Sequence, residues 1–135
     1  YPEVTVILSG MSTFDDVEAN IATLSAATPN SLSEEELAIV RRVKDIYNQR
    51  IKVHCTDCRY CMPCPQGVAI PHIFSIYNHA NVYNLYGEGK QHYSHLIRDN
   101  KSADLCVECG NCESKCPQNL SIIAYLKEAH AALSE

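Results

Sequence analysis

All eight cysteines of this chain fall into two short runs, CTDCRYCMPCP from Cys55 to Pro65 and CVECGNCESKCP from Cys106 to Pro117. Each run steps three cysteines along by three residues, adds a fourth just beyond, and follows it with a proline. Three cysteines at that step on one tight stretch of backbone converge on a common point more naturally than they pair across a fold. An even cysteine count also fits four disulfides in a small secreted domain. The grouping argues against it, and a chain of 135 residues with 46% hydrophobic content can build a core without covalent staples.

Charge narrows the partners. The formal net charge is −5, so there is no basic field to attract nucleic acid or an anionic membrane. No apolar stretch reaches a spanning length, and no charged segment followed by an apolar one opens the sequence. The expectation is an unexported, cytoplasmic chain with neither nucleic acid nor membrane as partner.

Outside the runs the pattern is mostly helical. VTVIL, Val4 to Leu8, reads as a strand buried on both faces among parallel neighbours, and it leads through SGMST into a helix over 15–27 capped by Thr13 with Asp16. No other segment reads as a strand, so its sheet is expected in a longer protein of which this chain is the C-terminal piece, the alternative being a short edge strand laid on the helical domain. A polar linker over 26–33 follows. Ser33 and Glu36 then form a capping box for a helix with Leu37, Val40, Val43, Tyr47 and Ile51 on one face, opposite a solvated face of Arg41, Arg42, Lys44, Asp45 and Arg50. Between the runs, Pro71 opens a helix whose side carries Ile73, Phe74, Ile76, Tyr77, Ala80 and Asn84 and which Gly87 ends. A short helix over 90–98 comes next, and Ile122, Ile123, Leu126, Ala129, His130 and Leu133 mark a last one.

A cubane iron–sulfur cluster offers four iron corners, each taking one thiolate. A run with two-residue gaps supplies three of them, and in two-cluster ferredoxins the fourth cysteine of each run serves the other cluster. Applied here, one 4Fe-4S cluster takes Cys55, Cys58, Cys61 and Cys116, and the other takes Cys106, Cys109, Cys112 and Cys64. The second run has the full bacterial ferredoxin spacing, whereas the first is one residue short between Cys61 and Cys64. Structural zinc, held by four thiolates in a tetrahedron, is the competing reading. It would make the chain a helical interaction module docking through Arg41, Arg42 and Arg50, but it gives no reason for a third cysteine at the same step or for the trailing Cys-Pro. Asp57, Arg59, Glu108, Glu113 and Lys115 are close enough to bias cluster potentials, although solvated charge suffices for most. Tyr60 and Met62 are expected to pack over a cluster. His54 is read as structural, and His72, His79, His92, His95 and His130 share no ligand spacing.

CTDCRYCMPCPQGVAIP together with CVECGNCESKCPQNLSI resembles the α-helical ferredoxin domain, in which two cysteine runs embrace a helical insert. VTVILSGMSTFDDVEANIATL resembles the last strand and helix of the aldo/keto reductase barrel. Together they are similar to the C-terminal region of aldo/keto reductases that carry an appended 4Fe-4S domain. The resemblance implies a mainly α fold with two 4Fe-4S clusters over residues 31–135, preceded at 1–30 by a strand–helix remnant of a (β/α)8 barrel. It implies an electron carrier whose partner is a redox protein or the parent reductase domain. It also implies that NAD(P) binds only in the full-length parent, where Ser12 and Asn20 stand at the nucleotide-binding positions. The Tyr, Lys, His and Asp of such a reductase site have no counterparts in this chain, so no catalytic residue is assigned.

Overall fold

The computed structural model describes residues 2–134. It contains five α-helices, α1 Phe14–Ala26, α2 Glu34–Arg50, α3 Ile70–Tyr83, α4 Tyr86–Arg98 and α5 Ile122–Leu133, with a single 3-10 turn at Ala103–Leu105. No helix among the described residues is long and apolar enough to cross a membrane. The chain divides into two compact units, Tyr1–Val43 and Lys44–Glu135.

In the first unit the capping signals act as the sequence requires. Thr13 Oγ1 accepts from the Asp16 N–H while the Asp16 carboxylate accepts from the Thr13 N–H, and this reciprocal pair starts α1. Those bonds to Thr13, with one from the Ser12 N–H, hold the Asp16 carboxyl below its ordinary range. Ser33 and Glu36 repeat the arrangement at the start of α2. Val4–Leu8, by contrast, is not a strand, and the described residues contain none. A strand is stabilised by a ladder partner, and here no segment supplies one, leaving Val6 73% and Leu8 92% exposed. No residue of α1 or α2 is buried either. The apolar face of α2 is real as a pattern, yet Val40, Val43 and Tyr47 lie exposed. Arg41 is solvated, as its position suggests, and pairs with Glu34 at 3.2 Å.

The core belongs to the second unit. There α3, α4 and α5 pack on one another and α5 packs on the 3-10 turn, burying Ile73, Phe74, Tyr77, Tyr93, Leu126 and Leu133 among others. Two boundaries differ from the sequence reading. α3 stops at Tyr83 because Asn84 adopts the left-handed conformation (φ 56°) and turns its N–H back to the Ala80 carbonyl. α4 then starts at Tyr86, so Gly87 lies inside a helix and ends none.

The second glycine of α4 has a packing reason. A Cβ on Gly89 would sit 2.8 Å from Ala80 Cβ and 3.1 Å from Leu133 Cδ2, where α3, α4 and α5 meet. Gly89→Ala gains about 1 kcal/mol in helix propensity. It meets an overpacking cost of about 1–3 kcal/mol against a Cβ that only backbone movement can displace. The expected result is a lower melting temperature by circular dichroism, whereas Gly87→Ala, with nothing within 4 Å of the new Cβ, raises it or leaves it unchanged.

Candidate metal centres

The two cysteine runs are built on one backbone plan. Counting from its first cysteine, each run places residues +2 and +4 in the left-handed region: Asp57 and Arg59 in the first, Glu108 and Gly110 in the second. Each then closes a turn on the +4 carbonyl, Met62 N–H to Arg59 and Glu113 N–H to Gly110. After the fourth cysteine the match continues. Gly67 and Asn119, both three residues on, are left-handed and donate to the Cys64 and Cys116 carbonyls. A helix begins six residues on in each case, α3 at Ile70 and α5 at Ile122. The unit is therefore an internal duplication of run plus helix, with α4 between the copies. Its sequence trace is CPQGVAI against CPQNLSI.

Left-handed residues let the chain curl around a point, and both runs curl around a cavity. One cavity, partly open to solvent, is lined by Cys64, Cys106, Cys109 and Cys112. The other, also partly open to solvent, is lined by Cys55, Cys58, Cys61 and Cys116. The structure thus brings Cys64 to the second run and Cys116 to the first. Cys61 and Ile70 border both cavities and form the wall between them. Apolar side chains complete the linings, Val68 and Leu126 in the first cavity, Phe74 and Ile122 in the second.

All eight cysteines are free thiols. Cys58 and Cys109, the second of each run, are exposed, and the other six are partly buried. Burial pushes the Cys61 thiol up to about 11, against the pull of its own N–H. It also raises Cys55, where the Asp57 N–H opposes it, and Cys112, where the N–H groups of Cys112 and Glu113 oppose it. Amides turned toward sulfur favour the thiolate, which is the form that binds metal. Cys116 and Cys58 are near enough to Cys55 to disfavour its ionisation. A cation placed among these sulfurs would remove that repulsion.

The donors fit a cluster better than a single ion. Four thiolates around zinc, with Zn–S of about 2.3 Å, stand only about 3.8 Å apart. Among the described residues no three His, Cys, Asp or Glu side chains converge enough to hold one ion. Four sulfurs spaced around an open volume suit a larger inorganic core, with one corner for each.

The neighbouring charges are mostly paired at the surface. Arg59 holds Asp57 at 3.2 Å and Lys127 holds Glu108 at 2.7 Å. Glu113 is an exception to the solvated reading, since its carboxylate accepts from the Ile123 N–H at 2.9 Å and caps α5 in place of Ser121. Met62 packs against the core but lines neither cysteine cavity. Tyr60 does not cover a cavity as expected, being 65% exposed. His54 is exposed and lines neither cavity. His130, to which the sequence assigns no role, bonds to the buried Tyr93.

No curated protein and no solved structure shows significant similarity to the chain. A family model described as a 4Fe-4S dicluster domain matches residues 54–121, just over half of the sequence and both cysteine runs. With eight cysteines in two matched runs around two cavities, the chain belongs to the 4Fe-4S dicluster domain family, whose members are iron–sulfur electron-transfer domains.

Proposed function

We propose that the eight cysteines hold two 4Fe-4S clusters in a crossed arrangement, Cys55, Cys58, Cys61 and Cys116 for one and Cys106, Cys109, Cys112 and Cys64 for the other. The domain passes single electrons between a reductase and a protein partner. The observation that supports this reading is the pair of cavities, each lined by the first three cysteines of one run and the fourth of the other, with Cys61 shared between them. A 4Fe-4S cluster, when bound, takes up and returns one electron. The chain's own part is to hold eight thiolates, to keep water away with Val68, Phe74, Ile122 and Leu126, and to set the two sites side by side across Cys61 and Ile70. Cys58 and Cys109, exposed beside the exposed Tyr60 and Val107, mark where a partner comes nearest to each site.

The parent reductase is read from the first unit. An apolar β-branched segment and an amphipathic helix, both without buried residues, suit the closing strand and helix of an aldo/keto reductase-like barrel. NAD(P) would bind in that full-length parent, and the clusters would link its two-electron hydride chemistry to a one-electron acceptor. In this chain Asn20 donates to Ser9 Oγ at 3.2 Å, which keeps its amide beside the turn that leads into α1.

Purified without oxygen, the protein is expected to be brown and to contain roughly eight iron and eight acid-labile sulfide per chain, with EPR signals from two centres after reduction. A colourless protein holding zinc and no sulfide would instead make it a structural interaction module.

A further inference from the structure

The duplication places Asn78 and His130 at the same point of their repeats, each fourteen residues beyond the fourth cysteine, at Cys64 and Cys116. Both reach back to the segment that enters their own cysteine run. Asn78 Nδ2 donates to the Val53 carbonyl at 2.7 Å, and its Oδ1 accepts from the N–H groups of Lys52 at 3.0 Å and Val53 at 2.9 Å. Val53 is fully buried, and its carbonyl also accepts from the Cys55 N–H at 2.8 Å. His130 acts through Tyr93. The fully buried Tyr93 hydroxyl lies 2.8 Å from His130 Nδ1 and accepts from the Ala103 N–H at 2.9 Å. The Ala103 carbonyl in turn accepts from the Cys106 N–H at 3.1 Å. In both repeats a helix side chain bonds to a residue, Val53 or Ala103, whose carbonyl receives the N–H of the first cysteine.

We propose that Asn78 and the His130–Tyr93 pair are equivalent positioning residues, each fixing the direction in which the first cysteine of its run, Cys55 or Cys106, presents its sulfur. This rests on the crossed ligand reading above. Hydrogen bonding and orientation at the sulfurs tune cluster potential, so each device acts on one centre.

The test is a potential-poised EPR titration of the anaerobically purified chain, with the two signals assigned by Cys58→Ser and Cys109→Ser. Asn78→Asp keeps the two acceptor contacts and loses the donor to Val53. It is expected to shift the potential and g-values of the signal that Cys58→Ser alters, leaving the other unchanged. Tyr93→Phe keeps the buried ring and orphans the Ala103 N–H, and is expected to shift only the signal that Cys109→Ser alters. Asn81→Ala is the structural control. It removes bonds to the Arg50 carbonyl and the Tyr86 hydroxyl, which do not reach a cysteine run, and is expected to move neither signal. If Asn78→Asp does not fold, Asn78→Gln, with both polar groups on a longer arm, is expected to give a smaller shift in the same signal. Both signals unmoved, both moved together, or an Asn81→Ala effect matching that of Asn78→Asp would overturn the proposal. A wild-type protein without two centres would instead sink the ligand reading.

Discussion

Chelation of iron from the anaerobic protein is expected to lower its melting temperature by roughly 20 °C and to expose the amides of both cysteine runs to rapid hydrogen exchange. The runs hold little structure of their own, a handful of turn bonds and no regular element, the 3-10 turn at Ala103–Leu105 ending just before the second. Four left-handed residues in the runs or, for Asn119, just after the second are not glycine: Asp57, Arg59, Glu108 and Asn119. At the low end of about 1 kcal/mol each, that conformation costs about 4 kcal/mol, which the ligand bonds offset while a cluster is held. Two cavities ringed by thiols would also have to flood or collapse. Lys44–Glu135 is a unit of the size for which each kcal/mol moves the midpoint by about 4–8 °C. Besides meeting the runs, α3, α4 and α5 pack on one another, so most helical signal at 222 nm is expected to remain. Unchanged melting and unchanged protection over 54–69 and 103–121 after complete iron removal would show that the runs are held by protein contacts alone.

Cys116→Ser is expected to alter the same EPR signal as Cys58→Ser, although 57 residues separate Cys116 from Cys58 in sequence and only three separate it from Cys112. Cys116 lines the cavity of Cys55, Cys58 and Cys61, and serine offers that corner a harder, poorer ligand than thiolate. The altered centre should show a displaced potential or loss of one iron, the other retaining its wild-type spectrum. Cys64→Ser should do the converse, following Cys109→Ser. Were each variant to follow its own run, the ligands would be uncrossed and the cavities would have to rearrange on binding.

What the sequence made legible was local chemistry. The cysteine steps, the two capping boxes at Thr13 and Ser33, and Pro71 at the start of α3 each act within a few residues, and each is found where its pattern stands. Features set by distant neighbours were harder to read. Gly87 resembles a stop signal, but α3 ends at Asn84, and Gly89 is required by Ala80 and Leu133 rather than by any turn. Val4–Leu8 has the composition of a buried strand, and composition cannot supply a ladder. The duplication lies open in CPQGVAI and CPQNLSI, yet cysteine spacing alone passes over it because the second run is one residue longer. With the repeats aligned, Asn78 and His130 fall into register, and a histidine without ligand spacing acquires a partner in Tyr93.

The Ala69 N–H donates to the Lys101 carbonyl at 2.9 Å, joining the stem that leaves the first run to the stem that enters the second. By sequence, 41 residues lie between Cys64 and Cys106. Through that bond the path is only about ten residues, because α3 and α4 are bypassed. Loop-closure cost grows as (3/2)RT ln n, so the shortcut lowers the entropic cost of bringing Cys64 to the second run by about 1 kcal/mol. The helical insert is thus a clasp, and the two runs meet their metal as neighbours on a short tether.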